Sequence, residues 1–503
     1  LKGKLAAITA IDLPSSSTPP APGHAAERSG ALLRRHWLMT GVVVVGVAAR
    51  VLAMISYSPA LLFPDSWGYI GSAYQNSFVG LPTEHPFGYP ILVKLLTLPD
   101  RSLTELVAFQ HLAATIVGIV IYLTLLRSRL PRWAAAAAAA LVLLDGYSIT
   151  LEQYVMSDTF LTVSVLSAVL VSAWPWLRAS PSDAPNPRAQ PTQKELLVRA
   201  LLAGLLIATA TLIREVAPVT IPVFVIYMLW GRFGWRPLVA FMLTAIVPLA
   251  AYSAVVDHNY GVFDVTATPG WFLYGRVAGF ADCSGVKLEA QARKLCESKA
   301  QRASHPSAPD WYVWGPSPAR RLFNPGQESI AQIAPTNRVL ESFDHAIIRH
   351  QPLEFIGVTL RDFARFFVPY APYNNAISAT SLPRSPGDES GDPAIQKRDL
   401  PGLRLSVRSP AAIARAYRSV VHLPRPILGL LALAGVLGIC LRIPARREVF
   451  LLVGSALIVL LATAATGGLS LRYLMPIVPL LAIGGSLATA QMLGRWKLLS
   501  RWT

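Results

Sequence analysis

Apolar residues in this chain come in long unbroken blocks, not in the alternation of a half-buried strand or the stripe of a surface helix. The first block, roughly Trp37 to Ser56, is long enough to cross a hydrocarbon core of ~30 Å. Others follow at roughly 103–126, 133–150, 158–177, 199–213, 216–230, 237–256, 425–441, 448–465 and 472–493. The pattern predicts an all-α polytopic membrane protein with about ten transmembrane helices. The blocks at 199–213 and 216–230 are shorter than the ~20 residues of an ordinary span, which suits either tilted partners or one helical hairpin. The first block follows Arg34 and Arg35 and lacks a small-residue cleavage site, so it reads as a retained span.

The segments between the blocks divide the chain into four parts. Residues 1–31, rich in Ser, Pro, Ala and Gly without apolar periodicity, read as a disordered cytoplasmic tail. Residues 32–256 form an N-terminal membrane core with outward loops, 257–424 an extracytoplasmic module of soluble composition, and 425–503 the C-terminal membrane helices and a basic tail. Within the module, 353–368 and 403–421 have the spacing of amphipathic helices, suited to a membrane surface or to packing on the module itself. The stretch 371–400, rich in Asn, Ser, Pro, Gly and Asp, reads as a connection.

Composition sharpens this picture. With 53% hydrophobic and 15% charged residues over 503 positions, the chain does not have the make-up of a soluble domain. Its 45 Lys and Arg against 28 Asp and Glu give a net charge of +17, which suits either nucleic acid or anionic lipid until the charges are placed. They fall in alternate short loops: Arg34 and Arg35; Arg127, Arg129 and Arg132; Arg178 to Arg199; Arg232 and Arg236; Arg442, Arg446 and Arg447; Arg495 to Arg501. The positive-inside rule then puts both termini in the cytoplasm of a bacterial plasma-membrane protein, and makes nucleic acid an improbable partner. Cys283 and Cys296 lie in the outward segment, where an oxidising compartment favours a disulfide, and Cys440 reads as a small buried hydrophobe inside a span.

The outward ends of the spans carry the candidate chemistry. Asp65 and Tyr69 stand in PDSWGY, His85 in HPFGYP, Glu152 and Asp158 in LEQYVMSDT, Arg214 and Glu215 after the fifth block, and Arg472 at the start of the last. Polar groups at membrane depth are costly enough to need a reason. Each also has a structural reading: Asp65 and Asp158 as helix caps, the arginines as snorkelling side chains, and HPFGYP as a proline-broken turn with interfacial aromatics. Apolar neighbours of Asp65 would raise its pKa and make it a base usable near neutral pH. No phosphate-cradling glycine pattern, HExxH or CxxC pair points to nucleotide or zinc chemistry.

The succession PDSWGYI, HPFGYPIL, LEQYVMSDT, LIRE and LRYLMPIVPLLAIGG resembles the GT-C superfamily of polytopic glycosyltransferases, especially members similar to protein mannosyltransferases and aminoarabinose transferases. The resemblance implies a GT-C-like fold and the transfer of a single sugar, of the mannose or arabinose class, from a polyprenyl-phosphate carrier to an extracytoplasmic glycan, lipid or protein acceptor. It implies Asp65 as general base in the first outward loop and Glu152 and Asp158 in the second acidic loop. Arg214 and Arg472 are then candidates to bind the lipid phosphate, with Tyr69 and His85 to position the donor. Many relatives carry two adjacent acids at the first position, where this chain has Asp65-Ser66. Inverting hexosyl or pentosyl transfer by direct attack requires no cofactor, although some relatives use a divalent metal ion. Competing readings are a polyprenyl-linked glycan ligase or polymerase, a lipid-sugar flippase or transporter, and a membrane scaffold. A transporter is expected to show repeated halves and a midplane site, whereas the polar residues here gather towards one face.

Overall fold

The computed structural model describes residues 34–75, 84–98, 100–177, 191–324, 329–369, 382 and 392–499. The tail read over 1–31 and most of the connection read over 371–400 lie outside them. The described chain is mainly helical. The N-terminal part contains α1 (Trp37–Ser56), α2 (Pro64–Tyr74), α3 (Gly88–Leu96), α4 (Leu103–Arg127), α5 (Arg132–Leu143), α6 (Gly146–Gln153), α7 (Asp158–Ala173), α8 (Gln193–Ile213), α9 (Ile221–Trp230) and α10 (Trp235–Tyr260).

Local signals set these boundaries. Ser102 caps α4 by accepting the Thr104 N–H, with Glu105 in its first turn and Arg127 in its last, as the helix dipole favours. The Thr192/Glu195 capping box starts α8 earlier than the apolar block does, so the segment read as a short 199–213 span is a 21-residue helix. Asp145 breaks the predicted 133–150 span: its carboxylate accepts the amides of Tyr147 and Ser148, starting α6 at a bend of 43° to α5.

Five of the described helices are long and apolar enough to cross a membrane, or up to seven if each bent pair is one span. Three further apolar helices are shorter. Helix length therefore does not establish the expected count of about ten. Polar caps and prolines such as Asp145, Pro218 and Pro476 interrupt the blocks that hydropathy alone joins.

The C-terminal helices are α16 (Arg425–Cys440), α17 (Arg446–Thr466) and α18 (Val478–Leu499), preceded by four labelled elements of the module, α11 (Pro269–Ala278), α12 (Pro309–Trp314), α13 (Ile330–His350) and α14 (Pro352–Arg365), and by α15 (Ala411–Val420). Small residues permit close helix approach, as is usual in membrane packing. A Cβ on Gly485 of α18 would lie 2.6 Å from the Leu431 carbonyl of α16. Val44, Val47, Val51 and Ile55 form an exposed apolar stripe on α1, the face a helix turns to lipid. Cys440 is exposed at the end of α16, not buried as expected, because that helix packs inward through Leu428, Ala432, Gly435 and Gly438.

The module has its own core, built from Trp271, Tyr274 and Val277 of α11, Tyr312 of α12, and Leu340, Phe343 and Ile347 of α13. The Cys283–Cys296 disulfide closes a loop beside it. On α14 the exposed Leu353, Ile356 and Leu360 share one face, while Asp362 turns inward to Arg276, 2.6 Å away. The helix is thus tied to the module through Asp362, packs beside α17, and leaves an exposed apolar side suited to a membrane surface. Tyr57–Ser58 pairs antiparallel with Ser406–Val407, tying the end of α1 to the segment that returns to the membrane.

Candidate active site

The first turn of α2 is stapled to the segment that precedes α7. Ser66 accepts the Phe63 N–H at 2.9 Å and donates to the Val155 carbonyl at 2.9 Å. Leu61 adds two further backbone bonds, its N–H donating to the Gln153 carbonyl and its carbonyl accepting the Val155 N–H. These bonds fix where Asp65 and Asp158 project. Gly88, at the start of α3, sits so close to the end of α8 that a Cβ would lie 2.5 Å from the Leu212 carbonyl. This contact seats the start of α3, three residues after His85, against the end of α8, which Arg214 caps. Arg472 comes from a 3-10 turn, Leu471–Leu474, ahead of the last apolar helix.

These segments converge on four buried charges. Arg472 Nη2 donates to Asp65 Oδ2 at 2.8 Å and its Nε lies 4.0 Å from Asp158 Oδ1. Arg214 Nη1 reaches Asp158 Oδ2 at 3.5 Å and Ser157 Oγ at 3.3 Å. His85 Nε2 stands 3.7 Å from Asp65 Oδ2. Tyr69 stacks on His85 with ring centroids 4.8 Å apart and hydrogen-bonds Ser157 at 3.2 Å. Tyr473 lies beneath both guanidinium groups, 5.4 Å from that of Arg214 and 5.8 Å from that of Arg472. Arg472 Nε and Asp158 Oδ1 are buried without a hydrogen-bond partner among the described residues. Such orphaned polar atoms are costly in a resting protein and are suited to a ligand that satisfies them.

The electrostatics of Asp65 overturn the sequence expectation. Burial does push its carboxyl upward, but Arg472, His85 and Arg214 outweigh burial and hold the pKa down at about 2. In place of the apolar neighbours, the summed charge attraction of Arg472, His85 and Arg214 dominates, and the direct hydrogen bond from Arg472 adds a smaller share. A carboxyl raised by burial does exist at the site. Asp310, in the first turn of α12, is pushed up to about 6 by burial and by the charge of Asp65, with Arg472 opposing. The sequence reading did not single out Asp310. The acid after Pro309 at a helix start was the available signal.

Of the residues singled out from the sequence, Asp65, Tyr69, His85, Asp158, Arg214 and Arg472 come together. Glu152 does not. It is fully buried, held by Nε and Nη2 of Arg50 in a bidentate contact at 2.8 Å and by His111 Nδ1 at 2.8 Å. Arg50 also donates to the Leu143 carbonyl, and His111 Nε2 pairs with Gln153 at 2.9 Å, so the group clamps α1, α4 and α6 together. Hydropathy could not foresee this because Arg50 and His111 sit inside apolar blocks. Among the described residues no group of three or more His, Cys, Asp or Glu is placed to hold a metal ion.

The model of the dolichyl-phosphate-mannose-protein mannosyltransferase family matches residues 87–255, a stretch that includes Asp158 and Arg214 but not Asp65, His85 or Arg472. No curated protein sequence matches the chain significantly. Among solved structures, the oligosaccharyltransferase AglB from Archaeoglobus fulgidus, in complex with an inhibitory peptide and a dolichol-phosphate, is similar at 13% identity with a TM-score of 0.41. That alignment covers 94% of this chain and 52% of AglB, so the chain spans about half the length of this relative. ArnT from Cupriavidus metallidurans, bound to undecaprenyl phosphate, is similar at 17% identity with a TM-score of 0.32, over 89% of this chain and 78% of ArnT. The family match covers about a third of the chain and takes in the LEQYVMSDT and LIRE motifs read from the sequence, so this stretch of the membrane core is similar to that family.

Proposed function

We propose that the protein is a membrane glycosyltransferase that moves one sugar from a polyprenyl-phosphate carrier to an acceptor hydroxyl. The observation that carries this reading is the pairing of Arg472 with Asp65 and of Arg214 with Asp158, beside an Arg472 Nε that has no hydrogen-bond partner among the described residues. A sugar phosphodiester carries one negative charge, and the polyprenyl phosphate released from it carries up to two. Two buried guanidinium groups therefore hold the leaving group more tightly as its bond to the sugar breaks, which is what accelerates the chemical step.

In the resting site Arg472 is occupied by Asp65 and keeps it a weak base. A donor phosphate competes for the same guanidinium. As Arg472 turns to the phosphate, burial regains its effect and Asp65 becomes a stronger base. The acceptor oxygen attacks the anomeric carbon, Asp65 takes its proton, and the electron pair of the broken bond leaves on the phosphate oxygen. His85 and Tyr69, stacked on each other beside Asp65, are placed to orient the sugar. Attack from the face opposite the phosphate inverts the anomeric centre. The sugar is of the hexose or pentose class, and the site opens on the extracytoplasmic face, with both termini cytoplasmic by the distribution of basic loops.

Binding of polyprenyl phosphate to the purified chain tests the assignment of the arginines. Arg472→Gln and Arg214→Gln are each expected to weaken it by about tenfold or more, the size of a charge-assisted hydrogen bond. Unchanged binding in both variants would refute the assignment.

A further inference from the structure

The module reaches the charge cluster through α12. Tyr312 and Val313 of this helix are buried in or against the module's core, with the Tyr312 hydroxyl donating to Glu297 at 3.2 Å. At its start, Pro309 rests against Gly468, where a Cβ would come within 2.8 Å of the proline ring and where the backbone has φ of +79°. Gly468 lies just ahead of the turn that presents Arg472. A rigid part of the module is thus fitted to the loop that builds the site. The charged and titratable groups facing Asp310 are Arg472 and Tyr473 from that turn and Asp65 from α2.

Trp314 follows Asp310 by four residues, so the two share one face of the helix. It is 44% exposed, while Tyr312 and Val313 between them are buried. Phe272 meets its ring edge-on, with centroids 6.4 Å apart. An exposed indole and a carboxylate on one helix face match a sugar ring. The C–H face of the ring packs on the indole, and its hydroxyls donate to the carboxylate.

We propose that Asp310 and Trp314 form the acceptor subsite, that the acceptor is a carbohydrate, and that its attacking hydroxyl lies between Asp310 and Asp65. This rests on the glycosyltransferase reading above. Asp65 takes the proton of the attacking hydroxyl as the new bond to the anomeric carbon forms and the old bond to the phosphate oxygen breaks. Asp310 accepts a hydrogen bond from a neighbouring hydroxyl and keeps its charge throughout.

The test uses the full chain in lipid nanodiscs with a radiolabelled polyprenyl-phosphate sugar as donor. Octyl glucoside and octyl mannoside serve as carbohydrate acceptors, and a Ser/Thr peptide as the alternative. Transfer to an octyl glycoside is expected. Asp310→Asn and Trp314→Ala should each raise the acceptor KM about tenfold, the loss of one hydrogen bond to a charged group or of one stacking partner. The donor KM and the melting temperature should be unchanged, and Asp310→Glu should recover part of the loss. Because the Asp310 carboxyl titrates at about 6, the wild-type acceptor KM should rise as pH falls through that value, and the Asp310→Asn profile should be flat there. Wild-type acceptor KM in both variants would overturn the subsite, as would transfer to the peptide alone. Parallel changes in donor KM and melting temperature would assign these residues to the fold and overturn it equally. If the wild type transfers sugar and the variants match it, only the subsite falls. If the wild type transfers none from any donor, the functional reading falls and the subsite with it.

Discussion

Replacing Arg472 by Gln should destabilise the protein, and removing Asp65 at the same time should restore much of the loss. A carboxyl held at about 2 in place of 3.8 corresponds to about 2 kcal/mol in favour of its charged form. That figure is net of the opposing effect of burial, so the attraction itself is larger. Asp65 has only 15% of its side chain exposed, and solvent screening takes little from it. Arg472→Gln leaves Asp65 and Asp158 short of a partner, which costs about 3–5 kcal/mol for a broken buried pair. In Asp65→Asn/Arg472→Gln the orphaned Asp65 charge is gone while Asp158 keeps Arg214, and a coupling of about 2 kcal/mol or more should appear in the double-mutant cycle.

Thermal unfolding in nanodiscs at neutral pH measures it. The folded pKa of Asp65 is depressed, so its contribution is complete above about pH 4 and is lost as pH falls through about 2. The gap between wild type and Arg472→Gln should narrow over the same window. Additivity of the two substitutions to within about 0.5 kcal/mol would refute the reasoning.

Glu152→Gln should lower stability by about 3 kcal/mol, because it leaves Arg50 buried without its charge partner, yet polyprenyl-phosphate binding should stay at the wild-type level in whatever protein remains folded. Asp344, fully buried in the module with neither carboxylate oxygen hydrogen-bonded among the described residues, has its pKa pushed well up by burial and by Glu341. Its neutral form is the one that folds, so the wild type loses stability as pH rises above the ordinary carboxylate range. Asp344→Asn should then raise the melting temperature at neutral pH and show no gain near pH 3.

The charge cluster was legible in the sequence because its members sit where polar residues interrupt or end apolar blocks. Asp65, Asp158, Arg214 and Arg472 each stand out on that ground, and all four meet. Glu152 stood out for the same reason and belongs elsewhere, because its partners Arg50 and His111 are embedded in spans where hydropathy averages them away. Asp310 was invisible for a different reason. It lies more than 200 residues from Asp65 along the chain, and only the docking of Pro309 on Gly468 brings it back to the site. The fold class followed from block length alone, while the number of spans did not. Caps such as Asp145 divide an apolar block without lowering its mean hydropathy much.

The central claim is tested most directly by incubating the purified chain with a panel of radiolabelled polyprenyl-phosphate sugars and membrane extract, with Asp65→Asn in parallel. The account predicts transfer from at least one donor by the wild type. It predicts none by Asp65→Asn, although that variant folds and still binds polyprenyl phosphate. Transfer retained by Asp65→Asn would remove Asp65 as the base, and no transfer from any donor by the folded wild type would contradict the reading as a polyprenyl-phosphate-dependent glycosyltransferase.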